Sequence, residues 1–385
     1  MKGNIKILLA VIFLLLQVTG MYSQEDEESS RKRKPFQITF VTPLGTNGAS
    51  SPGILNEFSF NVLVGVNGGV DGFELGGLVN IDNGPVGGAQ ISGFGNIVTG
   101  RVEGFQLGGF ANINDSYTEG FQGAGFINIV DDDAEVFQIA GFGNITGSFE
   151  GMQLSGFGNF AGDVEGFQGA GFMNIAGKAE GAQIAGFMNV ADKLEGLQGS
   201  GFMNIADKVD GVMIAGFLNI CDSIDGIPIA PVSIVKKNGY RRFEFWSNET
   251  FYLNTSFKIG VPKFYTIFTV GYKPGFTDFN WGLGFGAGTS FAIADNHSVD
   301  LEGHVYHINS QFWRKWEFNQ LNQVKVNFNY QIAEHFSLFA GPTFNILIAE
   351  NDSYAQKIAP VWSFRIAERK NSIRGWFGFN LGFRF

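Results

Sequence analysis

The chain has 385 residues, a formal net charge of −10, 55 glycines, 42 phenylalanines, 10 prolines and one cysteine. Glycine and phenylalanine are far above ordinary usage while proline is not, and this balance excludes collagen and disordered low-complexity chains. The acidic balance argues against nucleic acid as a partner, and a single cysteine cannot form an intramolecular disulfide.

Residues 1–23 are predicted to be a secretory signal peptide. Lys2 and Lys6 precede the apolar run Ile7–Leu16, which is too short to span a bilayer as a helix. Residues 24–35 follow as a charged leader, whose acidic and basic clusters offset each other and which we interpret as solvated. We therefore expect an exported chain, located in the bacterial outer membrane or at the cell surface.

Residues 66–235 form a repeat region that is preceded by N-terminal strands at residues 36–65. One asparagine per repeat recurs at a spacing of 16 and then of 15 residues: Asn80, Asn96, Asn112, Asn128, Asn144, Asn159, Asn174, Asn189, Asn204 and Asn219. Each unit also carries two or three glycines, which disfavour a helix. The units are therefore predicted to be strands joined by corners.

A parallel β-solenoid of about ten coils is the architecture that the repeat favours, because equivalent residues of successive coils then stack along one axis. Stacked asparagines would exchange amide hydrogen bonds, and residues such as Phe110 and Phe126 would form an aromatic column. One observation favours an antiparallel meander or a larger barrel instead. Large and small residues alternate in part after the repeat glutamine, as at Leu107, Gly123 and Ile139.

Residues 236–385 are predicted to be a second domain of amphipathic strands with a barrel-like arrangement. All six tryptophans and seven of the nine tyrosines lie beyond Gly239. Nine segments alternate strictly between apolar and polar residues: 240–247, 250–260, 263–272, 280–294, 298–309, 321–333, 336–349, 359–368 and 373–385. Most are long enough to cross a hydrocarbon layer, and a strand ending at Phe385 resembles the ending of bacterial outer-membrane barrels.

Two features leave a soluble barrel or sandwich open as the alternative. Its strands would alternate in the same way, and nine is an odd count whereas single-chain bacterial barrels normally use even numbers, so that either one strand is miscounted or another segment joins the barrel. Phe36–Phe40 and Phe58–Val62 are candidates for the missing strand. Trp313 and Trp316 suit an aromatic girdle at the membrane interface.

The combination resembles a family of bacterial surface-repeat proteins to which no activity is assigned. The resemblance rests on Phe40–Gly48, on the Gly-x-Gln-x-x-Gly-x-x-Asn units, and on Gly226–Ile229 followed by Asn238–Arg242. It extends over about residues 36–350 and implies a cell-envelope or surface location.

Catalytic, cofactor-binding and metal-binding motifs are not recognised in the sequence. Asp300, Glu302 and His304 share a strand face and could form a polar cluster inside a barrel, while His307 points to the opposite face. Asp131–Asp133 replaces a turn and is interpreted as a solvated acidic turn. Cys221 stands where other repeats have alanine, which indicates a small packed side chain.

A non-enzymatic structural or interaction protein, anchored by a barrel in outer-membrane lipid, is therefore the expected function. A surface ligand or protein partner is possible but is not indicated by any motif. The alternative is a secreted adhesin or carbohydrate-binding β-solenoid, supported by the aromatic column. An enzyme built on a β-helix is a weaker third hypothesis, because the repeats offer only one row of carboxylates, as at Glu165 and Glu180, at a turn position.

Overall fold

The structure is a computed structural model that describes residues 31–274, 280–310, 318–350, 352–368 and 371–385. The signal peptide, most of the charged leader and the expected girdle residues Trp313 and Trp316 lie outside the described residues. The chain divides into two compact units, residues 1–186 and 187–385. About 12 turns of parallel β-solenoid are followed by a closed, eight-stranded antiparallel β-barrel, so the predicted fold class is confirmed.

The first unit consists of solenoid coils. Its strands are β1 (Lys32–Val41), β2 (Leu44–Gly45), β3 (Ile54–Asn67), β4 (Gly69–Gly76), β5 (Val79–Asp82), β6 (Val86–Ser92), β7 (Gly95–Val98), β8 (Val102–Gly108), β9 (Ala111–Asn114), β10 (Thr118–Ala124), β11 (Ile127–Val130), β12 (Ala134–Ala140), β13 (Gly143–Thr146), β14 (Phe149–Ser155), β15 (Gly158–Phe160), β16 (Asp163–Ala170) and β17 (Met173–Ala185). A 3-10 turn, Gly48–Gly53, separates β2 from β3.

Each repeat forms one coil, in which a longer strand and a shorter strand meet at a Gly-Phe corner. Strands of successive coils pair in parallel and in register, so that Gln106 lies beside Gln122 and Asn112 beside Asn128. This pairing of identical positions confirms the solenoid, and the antiparallel meander is wrong.

The glycines of the corners are required by the close approach of neighbouring coils. A Cβ atom on Gly125 would lie 2.1 Å from the carbonyl oxygen of Gly109 in the preceding coil. Gly120 has a φ angle of 113°, a region that residues with a side chain rarely adopt. The corners therefore accept only glycine at these positions.

Lateral packing on the outside of the coils explains the alternation of large and small residues. A Cβ atom on Gly123 would lie 2.6 Å from Cδ2 of Leu107, and one on Gly169 would lie 2.8 Å from Cδ2 of Leu154. A large side chain in one coil thus covers the glycine of the next coil, and strand reversal is not needed to produce the rhythm.

The N-terminal strands belong to the solenoid. β1 pairs in parallel with β3, and β3 pairs in parallel with β4 and β5. Phe36–Phe40 and Phe58–Val62 therefore do not supply a barrel strand, which corrects that suggestion. β1 begins at Lys32, inside the segment assigned to the charged leader, and Arg33 lies 3.2 Å from Asp71.

The second unit begins with further coils of the same kind. Their strands are β18 (Met188–Ser200), β19 (Met203–Ala215), β20 (Leu218–Ile229) and β21 (Val232–Val235). They also pair in parallel with identical positions side by side, as Asn189 with Asn204. Tyr240 then begins the barrel.

The barrel is built from antiparallel neighbours in chain order. Its strands are β22 (Tyr240–Asn248), β23 (Leu253–Val261), β24 (Phe264–Lys273), β25 (Asn280–Ala294), β26 (His297–Ser310), β27 (Asn319–Ala333), β28 (Phe336–Ala349) and β30 (Ser372–Arg384), with α1 (Asp352–Ile358) and β29 (Phe364–Glu368) between the last two. Pairing of β22 with β30 closes the ring.

The ninth predicted segment is not a member of the ring. β29 pairs only with Ser372–Gly375 of β30, while β22 pairs with Asn380–Arg384 of the same strand. Between these two stretches, side chains replace a partner strand. The backbone N–H of Phe379 donates to Glu249 (3.2 Å), and Trp362 Nε1 donates to the carbonyl of Phe377 (3.0 Å). Eight strands therefore close the barrel, an even number as in single-chain bacterial barrels, and the predicted ninth strand lies outside the ring.

Candidate functional site

The interior of the barrel holds a cluster of buried charged side chains. Alternation along β26 directs Asp300, Glu302 and His304 inwards, and all three are buried. The sequence therefore grouped these residues correctly. His307 lies on the opposite face of β26, where it is half-buried.

Lys258 on β23 lies at the centre of this cluster. Its side chain is fully buried, and its Nζ forms ion pairs with Glu244 (2.6 Å) and with Glu302. Glu302 also accepts a hydrogen bond from the hydroxyl of Tyr265 (2.9 Å) and contacts His304 Nε2 at 3.1 Å. The carboxylate thus has partners on three neighbouring side chains, as a buried charge requires.

Arg384 on β30 completes the network from the opposite side. Its guanidinium contacts Asp300 (2.7 Å) and Glu244 (3.0 Å) and donates to the hydroxyl of Tyr240 (2.8 Å). Lys325 is a further buried basic residue, whose Nζ lies 3.2 Å from the ring centroid of Trp246. Glu244, Asp300 and Glu302 are therefore paired with Lys258 and Arg384 inside the ring, so that each buried carboxylate has a basic partner.

A metal ion does not suit this cluster. Carboxylate oxygens of Glu244, Asp300 and Glu302 lie within 4.8 Å of one another, a spacing that would allow shared coordination. The ammonium group of Lys258 already contacts all three, since Asp300 lies 3.7 Å from it. The lysine supplies the positive charge that a metal would bring, and the cluster is best explained as packing of the barrel interior.

A second part of the barrel interior is apolar. Leu321, Leu347 and Trp376 are fully buried there and belong to the same cluster as Ala355 and Ile358 of α1. The indole Nε1 of Trp376 donates to Glu249 (2.8 Å). Charged residues and this apolar cluster together fill the interior.

The interior of the solenoid is lined by two polar columns. In the asparagine column, Asn112 Nδ2 donates to Asn128 Oδ1 (2.9 Å) and to the carbonyl of Gly123 (2.9 Å). In the glutamine column, Gln122 Nε2 donates to Gln106 Oε1 (2.7 Å), towards the preceding coil. The members named here are fully buried. The predicted amide ladder is therefore present, and glutamine adds a second ladder of opposite direction.

A buried acidic pair lies inside the coils near the N-terminal end of these columns. Glu74 occupies the glutamine column and accepts hydrogen bonds from Asn61 (2.7 Å) and Gln90 (2.8 Å). Asp82 accepts one from Gln90 (2.6 Å), and both carboxyls are fully buried. Burial raises the pKa of Glu74, and burial together with the charge of Glu74 raises the pKa of Asp82 well above its ordinary value.

Cys221 and the turn Asp131–Asp133 lie in surroundings that give them a structural role. Cys221 is buried beside Ala206, and burial, with a smaller effect of Asp222, raises the pKa of its thiol to about 11. A thiol in this state is a poor nucleophile. Asp131–Asp133 is an exposed turn, as predicted.

Sequence reasoning missed most of the buried charges. It did not identify Glu74, Asp82, Glu244, Lys258 or Arg384 as interior residues. A signal was available in the sequence. Glu74 and Asp82 stand at repeat positions where other coils carry uncharged residues, and the other three lie on the polar faces of alternating strands. What the sequence did not provide was the direction of each strand face.

No family model, no curated protein and no solved structure matches this chain. Within the described ranges, no helix combines the length and the apolar character that are needed to cross a bilayer.

Proposed function

We propose that this chain is a non-enzymatic outer-membrane protein whose eight-stranded barrel spans the hydrocarbon layer and anchors the β-solenoid in the cell envelope. One observation carries the proposal, namely the inverted polarity of the barrel. A network of charged side chains is buried inside the ring, and many phenylalanine, leucine and valine side chains are exposed on its outer face.

The outward face is apolar along the middle of several strands. On β30, Phe377, Phe379 and Leu381 are 72%, 57% and 60% exposed, whereas Asn380 between them is fully buried. On β27, Phe328 is exposed and Lys325 is buried. An apolar surface of this kind is unfavourable in water but is compatible with lipid. Hydrocarbon cannot hydrate polar groups, and the barrel keeps its polar groups inside.

Strand length and ring closure agree with a membrane barrel. The eight strands have 9 to 15 residues, and about 9–11 tilted residues cross the hydrocarbon layer. Closure leaves no free sheet edge, and the stretch of β30 that β22 does not reach is covered by Glu249 and Trp362. Backbone polar groups are thereby satisfied within the protein, as lipid requires.

The filled interior favours an anchor over a channel. Lys258, Arg384 and their carboxylate partners occupy one part of the interior, and α1 packs with the apolar cluster in another. An eight-stranded barrel is just wide enough for side chains to fill it, as they do here, or to hold one small ligand. We therefore assign the barrel a holding role.

The geometry of the phenylalanine column argues against the carbohydrate-binding alternative. Ring centroids in the first unit are 4.8 Å apart for Phe126 and Phe142, with planes 13° apart, and Phe142 stacks on Phe157 in the same way. A sugar binds an aromatic residue through the ring face. Each inner ring here has both faces covered by its neighbours and presents only an edge.

Fractionation of cell envelopes tests the proposal. We expect the full chain to remain with outer membranes after alkaline extraction and to migrate faster on a detergent gel before boiling than after it, because a closed barrel resists detergent until it is heated. Release at high pH together with unchanged mobility would contradict the membrane assignment. A soluble binding protein would then be the better explanation.

A further inference from the structure

The solenoid, like the barrel, buries polar side chains and exposes large apolar ones. In a water-soluble solenoid, apolar side chains fill the interior and polar ones face water. Here Asn128, Gln138 and Asn144 are fully buried, while Phe137, Ile139 and Phe142 are exposed. Amide side chains are thus hydrogen bonded inside the coils beside buried apolar residues such as Val130, while phenylalanine and isoleucine side chains are left on the outside.

In the coils between residues 86 and 235, charge is confined to one side. Between residues 86 and 235, each charged residue lies three to seven residues after the column asparagine, as Glu150 does after Asn144. We call this segment the charged corner. The rest of each coil contains no charged residue, and its outward side chains form the apolar arc, represented in one coil by Phe137, Ile139, Phe142 and Ile145.

The apolar arc recurs in the coils of the second unit. Ile214 and Phe217 are exposed there, and Phe202 stacks on Phe217 at 5.3 Å. The charged corner of the same coils carries Lys208 and Asp210. Both units therefore divide their outer surface between an uncharged apolar part and a charged part.

Hydrocarbon is the occupant that these observations favour. A folded protein partner is recognised by pockets and by charged or polar contacts at its rim. The arc instead repeats the same uncharged side chains from coil to coil, which suits a uniform apolar solvent. The coils also satisfy one another's backbone groups through parallel pairing, for example between β10 and β12.

We infer that the apolar arc of the solenoid is immersed in the acyl chains of the membrane, with the charged corner towards headgroups and water. The proposed function needs only the barrel as the membrane element. This inference rests on that proposal to bring the chain to the membrane, and it adds the repeat region as a second lipid-contacting surface.

Site-directed spin labelling of the full chain in vesicles of phosphatidylethanolamine and phosphatidylglycerol tests the inference. Cys221→Ala provides a cysteine-free background, because Ala206 occupies the same column in the preceding coil. Single cysteines are then placed at Phe142 in the arc, at Glu150 in the charged corner and at Phe328 on the barrel, and each is labelled with a nitroxide. A second arc position, Ile139, controls for local disturbance of the phenylalanine column.

We expect the labels at residues 139 and 142 to collide with oxygen but to be shielded from a polar nickel complex. The nickel collision rate should be lower than at residue 150 by about tenfold or more, since transfer of a polar solute into hydrocarbon is unfavourable by more than a factor of ten in the equilibrium constant. Equal nickel access at residues 142 and 150 overturns the inference. Shielding from both reagents with spin–spin broadening shows that a second copy of the chain covers the arc, and it also overturns it.

The label at residue 328 separates this inference from the proposed function. Lipid exposure at residue 328 combined with water exposure at residue 142 refutes the arc and leaves the barrel anchor intact. Lipid exposure at residue 142 without lipid exposure at residue 328 refutes the barrel anchor and supports the arc, which would then itself hold the chain to the membrane.

Discussion

The asparagine column is expected to be a main source of solenoid stability, and Asn128→Ala tests this. Asn128 Nδ2 donates to Asn144 Oδ1 (2.9 Å) and to the carbonyl of Ile139 (3.0 Å), and its Oδ1 accepts from Asn112 Nδ2 (2.9 Å). Alanine removes all three hydrogen bonds from a fully buried site. Asn112 Nδ2, Asn144 Oδ1 and the carbonyl of Ile139 then each lose one hydrogen-bond partner.

The expected loss follows from these three groups. A buried unsatisfied group costs about 1–3 kcal/mol, and the low end applies because Asn112 keeps its bond to the carbonyl of Gly123. The sum is about 3 kcal/mol, which corresponds to a decrease in melting temperature of roughly 6–12 °C for an unfolding unit of about 150–250 residues, the size range of the first unit.

Thermal unfolding followed by circular dichroism in detergent measures the loss, with limited proteolysis as a second readout. Asn83→Ala is the matched control, because Asn83 is an exposed residue of the same region and undergoes the same chemical change. A melt of Asn128→Ala that coincides with those of the parent and the control would refute the reasoning. It would mean that water or a rearranged column replaces the lost bonds freely.

Three further results are expected. Asp82→Asn should raise the melting temperature near neutral pH, because the raised pKa of buried Asp82 means that the folded state loses stability as pH rises above the ordinary carboxyl pKa. The melting temperatures of variant and parent should converge in acid, where Asp82 is protonated in both the folded and the unfolded state. Equal melting temperatures at both pH values would contradict the burial effect. Deletion of Thr118–Asp133, one whole coil, should leave a folded chain in which β8 pairs with β12 in unchanged register. Deletion of eight residues within the same coil should disrupt folding. Equal susceptibility of both variants to limited proteolysis would count against independent coils. Phe379→Arg should destabilise the barrel in lipid by roughly 2–4 kcal/mol, measured by urea unfolding in vesicles, while Phe379→Leu should be nearly silent; a silent arginine would show that this face does not contact lipid.

The sequence by itself determined that each repeat is a strand unit with corners, and it favoured the solenoid over the meander, because ten registered asparagines and recurring corner glycines leave little freedom. Parallel stacking follows from the identity of neighbouring units, and Asn112 therefore lies beside Asn128. The barrel strands were also recognised with nearly correct bounds, since alternation such as that of Val324, Lys325 and Asn327 is a local property.

The tertiary structure alone decided which faces point inwards. Alternation gives two faces and does not distinguish inside from outside, and ring closure was needed to place Lys325 inside and Phe328 outside. The contact between Lys258 and Glu302 joins residues 44 positions apart, and Arg384 reaches Asp300 across 84 positions. Such contacts depend on how the strands close into a ring, because a repeat or an alternating strand specifies only its near neighbours.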